Sequence, residues 1–287
     1  MKRILAATDF STRAHRAIRR AAILARQSGA ELTLVHIVDE EPESLAALEV
    51  AESHKILDEQ IASVPELRGV PCRGIVEIGP PHDAIMKAAA AVGAHLIVMG
   101  SHRRQLLRDV FVGTTIERVI RGGACPVLMV NSEAAQPYAR ALAAIDLSDT
   151  SANALSSASG LGILDNTHLT VAHAFSAIAK SKLALADVPR ERITAYVETE
   201  QQRATTELQS YLTSLALDAA NCSYYVAEGD PVPVISKAVD TIGPDLLIVG
   251  THGRSGVARM LLGSVAEELL RTLEIDILAV PRLATPS

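Results

Sequence analysis

Residues 4–11 read Ile-Leu-Ala-Ala-Thr-Asp-Phe-Ser, and residues 141–148 read Ala-Leu-Ala-Ala-Ile-Asp-Leu-Ser. A short apolar run closing on Asp and Ser thus occurs twice, with Asp9 mapping to Asp146 at an offset of 137. Working outward, Leu32-Thr33-Leu34-Val35-His36 maps to Leu169-Thr170-Val171-Ala172-His173 at the same offset of 137. Farther on, Gly79 maps to Gly229, Gly100 to Gly250 and Gly113 to Gly263, each 150 apart. The offset grows from 137 to 150, so the second copy carries 13 extra residues between His173 and Gly229. This period is far too long for a solenoid. A chain of 287 residues holding two copies reads as two domains, assigned to 1–133 and 138–287. The connection at 131–138 is short and polar with one Pro, which predicts two domains packed together rather than loosely tethered.

Each copy alternates short β-branched runs with amphipathic stretches. In the first, strands are expected at 3–8, 32–38, 72–76, 96–99 and 127–130, with helices at about 12–28, 43–63, 82–92 and 114–122. Leu96-Ile97-Val98-Met99 and Leu246-Leu247-Ile248-Val249 are apolar throughout, as strands buried on both faces of a parallel sheet must be. The alternation predicts an α/β fold: two tandem, open, five-stranded parallel sheets with helices on both faces. Such a sheet takes its ligand outside the carboxyl ends of the strands, where strand order reverses. The excess around 177–200 is helical in pattern and bears Lys, Arg and Glu, suiting a solvated helix, a lid or a partner surface.

Composition narrows the function. Hydrophobic residues are 48% and charged residues 21%, which excludes a disordered chain. Net charge is −6 with no block of Lys or Arg, so a dedicated nucleic-acid partner is disfavoured. Three Phe, five Tyr and no Trp leave an aliphatic core and little material for base-stacking platforms. Cys72, Cys125 and Cys222 form no CxxC motif, and neither a signal segment nor an apolar run of ~18 residues is seen. The expectation is a cytoplasmic protein with no membrane partner.

The informative loop follows the fourth strand of the second copy. Gly250-Thr251-His252-Gly253 is followed by nine residues, 254–262, then Gly263-Ser264 and an apolar-periodic helix from Val265. Glycines permit close backbone approach to an anion and positive φ, and unpaired amides with the helix dipole favour phosphate at a helix start. Ser264 has two readings, a phosphate donor or an N-cap completing a capping box with Glu267. Asp9 and Asp146 likewise read either as ligand-facing groups or as helix caps acting with Ser11 and Ser148. There is no Gly-Lys-(Ser/Thr), so this is not a P-loop. Gly160-Leu161-Gly162 lacks a third glycine and suits a helix end. Gly253-Arg254-Ser255-Gly256 is one residue short of a nucleophile elbow. The histidine pairs His36/His173 and His102/His252 follow from duplication and form no metal motif, although His102 or His252 could orient the loop or touch a phosphate. The prolines after Gly79 and Gly229 suit a turn and a helix first position.

The Gly-x2-Gly-x9-Gly-(Ser/Thr) spacing after the fourth strand, with an Asp closing the first, resembles the universal stress protein family. The match spans both halves, as in a tandem member. The resemblance implies the adenine-nucleotide alpha hydrolase-like architecture and binding of ATP or AMP, with Mg as an optional companion. In the second half it implies that Gly250, Gly253, Gly263 and Ser264 hold ribose and phosphates, with Val265 giving a further amide. Asp146 would face the base or ribose, Ala174 would read the adenine edge through its backbone, and Ala144 would line the pocket. The first half departs from this pattern: Gly100-Ser101-His102-Arg103 has Arg103 where the second glycine belongs. Asp9, Ile37, Gly100, Gly113 and Thr114 remain compatible with nucleotide there. No catalytic or metal-binding residue is assigned.

The implied function is a stress-response protein whose nucleotide acts as a regulatory, conformational switch for an unidentified protein partner. The alternatives are a slow ATP hydrolase, which lacks an evident general base or Lys, and an interaction module that binds no nucleotide. Enzymatic activity stays open, and its absence is favoured. In this family the edge of the fifth strand commonly pairs two domains, so 126–130 and 276–280 are expected to pair within the chain as a built-in pseudo-dimer. Further homodimerisation is left open.

Overall fold

The computed structural model describes residues 1–38, 43–101, 114–123, 125–133, 136–186, 188–215, 222–252 and 262–282. The first half runs β1 (Arg3–Thr8), α1 (Thr12–Ser28), β2 (Glu31–Val38), α2 (Glu43–Ser63), β3 (Cys72–Ile78), α3 (Pro81–Val92), β4 (Leu96–Gly100), α4 (Thr115–Gly122) and β5 (Val127–Val130). The second runs β6 (Arg140–Ala144), α5 (Asp149–Gly160), β7 (His168–Phe175), α6 (Lys180–Leu185), α7 (Arg190–Ser214), β8 (Ser223–Glu228), α8 (Pro231–Ile242), β9 (Leu246–Gly250), α9 (Ser264–Thr272) and β10 (Asp276–Val280).

Local chemistry accounts for these elements. α1 starts where the Ser11 side chain accepts from the Ala14 amide and stops at Gly29 in the left-handed region, the start and stop devices of helices in general. Its buried face is mostly alanine, with Ala14, Ala17, Ala21, Ala22 and Ala25 among the residues covered, so the helix axis can lie close to the sheet. α5 is shorter, because Gly162 turns the chain at φ 72° just past Gly160. Pro81 and Pro231 open α3 and α8. The residues added in the second copy lie before and within α6 and α7, between β7 and β8.

Within each half every strand pair is parallel, and the two halves form one sheet of ten strands in the order β3-β2-β1-β4-β5-β10-β9-β6-β7-β8. The join is antiparallel, between β5 and β10, with Leu128 opposite Leu278. The two five-stranded parallel sheets are thus continuous through the expected pairing of 126–130 with 276–280, and the join covers two strand edges that would otherwise be open to association. Two aliphatic layers flank it. One lies under α1, α2, α5 and α7 and the other under α3, α4, α8 and α9, and each contains residues of both halves. Tyr138 and Phe175 are the two aromatic residues among the described buried ones. No described helix is long and apolar enough to cross a membrane.

The join also holds a buried charge. Asp276 opens β10 with no solvent exposure. Its Oδ1 accepts from the Asn131 amide (2.9 Å), the Ser132 amide (2.9 Å) and the Ser132 hydroxyl (2.8 Å). Its Oδ2 accepts from Arg20 Nε (3.1 Å) and from the Tyr138 hydroxyl (2.7 Å). Arg20 belongs to α1 of the other half; its guanidinium lies 4.0 Å above the Tyr138 ring and donates to Gln136 O at 2.8 Å. Burial, and then the neighbouring Asp276 carboxylate, pushes the Tyr138 hydroxyl well above its ordinary pKa. The phenol therefore stays a donor at any working pH. Removing one member of a buried pair leaves the other uncompensated, which costs about 3–5 kcal/mol. Asp276→Ala should lose that much in urea unfolding, and a loss of under roughly 1 kcal/mol would show that strand pairing alone holds the join.

Candidate functional site

In each half strand order reverses between the first and fourth strands, β1/β4 and β6/β9. Pairing there ends at Ala6–Val98 and Ala143–Ile248, and beyond those residues the chains diverge to opposite faces. In the second half the divergence opens a cavity of about 340 Å³. Ala144 and Asp146 line it from the end of β6, Ala174 from β7, Gly250 from β9, and Gly263, Ser264 and Val265 from the start of α9. Seven of the eight residues expected in the second half therefore share one cavity, and Gly253 lies outside the described residues. In the first half Asp9 follows β1, Ile37 lies in β2, Gly100 closes β4 and Thr114 caps α4. Gly113, His102 and Arg103 lie outside the described residues.

The cavity wall has other members, of which the sequence had marked only His252 and Pro231. Ile145, Ala172, Ile235, Val249 and Ala266 give it an aliphatic lining, while Ser151, Pro231 and His252 complete it. Ser151 could have been found from its place in the first turn of α5, three residues after Ser148. The link from Tyr211 to this wall had no signal in sequence. The Tyr211 hydroxyl donates to Ser148 O at 2.6 Å and lies 3.1 Å from Ser151 Oγ, tying α7 to the start of α5.

Asp146 is held by a tight turn. Its Oδ1 accepts from the Ser148 amide at 3.1 Å and from the Ser148 hydroxyl at 2.5 Å. The residue between them, Leu147, has φ 61°, as does its counterpart Phe10. An L residue in that region costs of order 1–2 kcal/mol. The cost is offset by packing, since both side chains lie against the core. In the first half Asp9 Oδ1 accepts from the Ser11 amide at 3.0 Å. The caps are the serines: Ser11 and Ser148 each accept from the amide three residues on, while the aspartates hold the turn.

Gly250 has a steric reason that the sequence did not show. A Cβ there would meet Thr150 Cγ2 at 2.8 Å and Thr150 O at 3.2 Å; at Gly100 it would meet Arg13 C and O, both at 2.7 Å. Neither glycine is among those with positive φ. These glycines let the first turn of α5 or α1 lie against the end of the fourth strand, so the helix and strand that frame the site can approach each other.

Ser264 does not cap α9. The cap residue is Gly263, extended at φ −63° and ψ 141° with no side-chain cap bond, so the capping box with Glu267 is absent. The equivalent Thr114 does cap α4, accepting from the Glu117 amide at 3.3 Å. Thr114 and Ser264 correspond in sequence, yet Thr114 stands before its helix and Ser264 is the first residue within it. The Ser264 hydroxyl thus lines the cavity without serving the helix end.

The duplicated histidines are ties between strands. Nδ1 of His36 donates to Thr8 O at 2.9 Å and Nδ1 of His173 to Ile145 O at 2.8 Å, the proton placed on Nδ1 because a carbonyl only accepts. Among the described residues no group of three His, Cys, Asp or Glu could hold a metal ion. His252 differs. Its Nδ1 lies 2.9 Å from Thr251 Oγ1, and its Nε2 is buried with no hydrogen-bond partner among the described residues. Burial, and then the charge of Arg282, lowers its pKa below the ordinary imidazole value.

Comparison with known proteins gives one answer for both halves. A model of the universal stress protein family matches residues 1–131 and again 137–281. A universal stress protein of Methanocaldococcus jannaschii is 27% identical over 152 residues, 45% of this chain and 94% of the relative. Another from Thermus aquaticus is 34% identical over 134 residues, 45% of this chain and 98% of the relative. Both relatives have the length of a single copy. The crystal structure of a universal stress protein from Archaeoglobus fulgidus covers 98% of this chain and 98% of its own, with a TM-score of 0.70 at 18% identity. That likeness is one of fold.

The glycine contacts make a ranked prediction. Gly100→Ala presses on backbone, which cannot swing away, whereas Gly250→Ala presses first on the Thr150 methyl. Overpacking typically costs about 1–3 kcal/mol. Gly100→Ala should fall at the upper end and Gly250→Ala below it, with Thr150→Ser recovering part of the Gly250→Ala loss in thermal unfolding. Equal losses, unrelieved by the second change, would contradict this account.

Proposed function

The chain belongs to the universal stress protein family, and within it we propose that the second half binds an adenine nucleotide, ATP or AMP, in the cavity where β6 and β9 diverge. Residues 1–133 and 138–287 are taken as the two domains, with the second as the binding unit. The observation that carries the reading is the meeting, in one cavity of about 340 Å³, of the Asp146 carboxylate, small apolar walls and an uncapped helix start. The volume suits a small organic ligand. Ala144, Ala172, Ala174, Ile235 and Val249 offer a flat, aliphatic slot for a purine. Asp146 accepts from base or ribose donors.

The phosphates would lie at α9. Glu267 makes the first helical hydrogen bond, to Gly263 O at 2.9 Å, so the amides of Ser264, Val265 and Ala266 have no carbonyl four residues back to donate to within the helix. Those amides, the helix dipole and the Ser264 hydroxyl all favour an anion. Mg, where bound, would accompany the triphosphate. Gly253 would complete the loop side of this cradle. Asp9, Ile37, Gly100, Gly113 and Thr114 would form the corresponding place in the first half. It is the weaker copy in this reading, because the Thr114 hydroxyl serves the helix end.

The functional role follows from where the ligand would sit. It would contact β6, β9 and α9 at once, and so bias how α9 packs beside the join, a change that a protein partner can read. Cys72, Cys125 and Cys222 are thiols, not disulfides, in keeping with a cytoplasmic setting. Calorimetric titration with ATP, AMP and adenosine tests the site directly. Gly263→Val is expected to abolish measurable ATP binding with unfolding temperature unchanged, since φ −63° suits valine. Ser264→Ala should weaken ATP about tenfold, the worth of one hydrogen bond to a charged group, while sparing adenosine. Wild-type affinity in both variants would overturn the assignment.

A further inference from the structure

The geometry points to His252 as a phosphate contact of this cavity, through which ATP binds more tightly when the ring is protonated. This rests on the nucleotide reading above and goes beyond it, since it adds a ligand-contacting side chain and makes occupancy respond to pH. The argument begins with an unmet need. A buried polar atom left without a partner costs about 1–3 kcal/mol, and among the described residues His252 Nε2 has none. The ring lines the cavity between Gly250, on β9, and Gly263, at the start of α9. An oxygen-rich anion seated at that helix start would give Nε2 the partner it lacks.

The other edge of the ring allows both charge states. Nδ1 lies 2.9 Å from Thr251 Oγ1, and a hydroxyl can accept from Nδ1–H or donate to a bare nitrogen. Protonation therefore breaks nothing at Thr251 and turns Nε2 into a charged donor. Two charged groups among the described residues bear on the ring or its cavity. Arg282, beyond β10, opposes its protonation, and Asp146, after β6, lines the same cavity. Asp146 is the one other ionisable side chain among the described residues lining it; the wall formed by α5, β7, α8 and α9 contributes none.

The sign of the linkage follows. Without ligand the ring titrates below the ordinary imidazole value, owing to burial and Arg282. A phosphate beside Nε2 raises that pKa. The gain in ATP affinity is then complete below the pKa of the free ring and disappears as pH rises through the pKa of the bound ring.

The test compares wild type with His252→Gln by calorimetry at pH 5.5, 7.0 and 8.0, using ATP and adenosine. Glutamine keeps a neutral donor of similar reach. Titration of the ATP phosphates is common to both proteins, so the ratio of their affinities isolates the ring. That ratio should fall from pH 5.5 to 8.0 for ATP, by up to about tenfold for one unit of pKa shift, and stay flat for adenosine. Wild type should also take up a fraction of a proton, about half at most for a one-unit shift, on binding ATP near neutral pH, seen by repeating the titration in buffers of different ionisation enthalpy. If His252→Gln cannot bind adenosine, and so has lost its pocket, wild-type proton uptake decides alone. A flat ATP ratio, an equal slope with adenosine, or no excess proton uptake in wild type overturns the inference while leaving the nucleotide site standing. Absence of any nucleotide binding by wild type overturns both.

Discussion

The Asp276 carboxylate, wholly out of solvent at the start of β10, constrains how the two halves can be joined. A buried carboxylate is tolerable only when its lone pairs are filled, and here five donors fill them, from α1, from the linker and from Tyr138. Two of those donors are linker amides, so the path of the linker is set by the charge. The path then sets β6, whose first residues are aligned on β9 by Asp245, with the Ala139 amide donating at 2.8 Å and the Arg140 amide at 3.1 Å. β6 in turn delivers Asp146 to the cavity. A continuous series of backbone constraints thus runs from the join to the candidate site.

This network belongs to the fused chain and not to the repeated unit. By the repeat offsets, Asp276 corresponds to Pro126 and Arg20 to Ser157, neither of which could carry the same charge. The join is therefore asymmetric although the strand pairing across it is nearly two-fold. Elsewhere the symmetry survives, as in Asn153, whose Nδ2 donates to Pro281 O at 2.8 Å, and its counterpart Arg16, whose Nη1 reaches Asn131 O at 3.5 Å.

What could be read from sequence was local or repeated. β1 and β5 fall where the apolar runs place them, because the middle of a strand buried on both faces is apolar throughout, as in Ile4–Ala7 and Val127–Val130. The helices follow from their caps and alanine faces. The gathering of Ala144, Asp146, Ala174, Gly250, Gly263, Ser264 and Val265 in one cavity also follows, since duplication and strand-order reversal place those positions at one end of the sheet. The Arg20–Asp276 contact was invisible because it links positions 256 residues apart, and neither residue type announces a partner. The reason for Gly250 was missed for a related cause. Sequence shows that a side chain is absent there, but not which element fills the space, and Thr150 fills it.

Thr114 and Ser264 show how two copies with nearly the same loop can come to differ. At Thr114 the backbone is extended, at φ −63° and ψ 154°, and the hydroxyl turns onto the Glu117 amide. In the second copy Gly263 takes that extended position one residue earlier. Glycine has no side chain with which to cap, so nothing is lost at the cap position itself, but the hydroxyl of the next residue enters the helix and is relieved of the capping task. The helix start then lacks a side-chain acceptor, and an anion is the natural replacement. A shift of one residue in where a helix begins converts a group that stabilises the fold into one that can serve a ligand. The apolar periodicity that marks a helix does not fix its first residue to that precision.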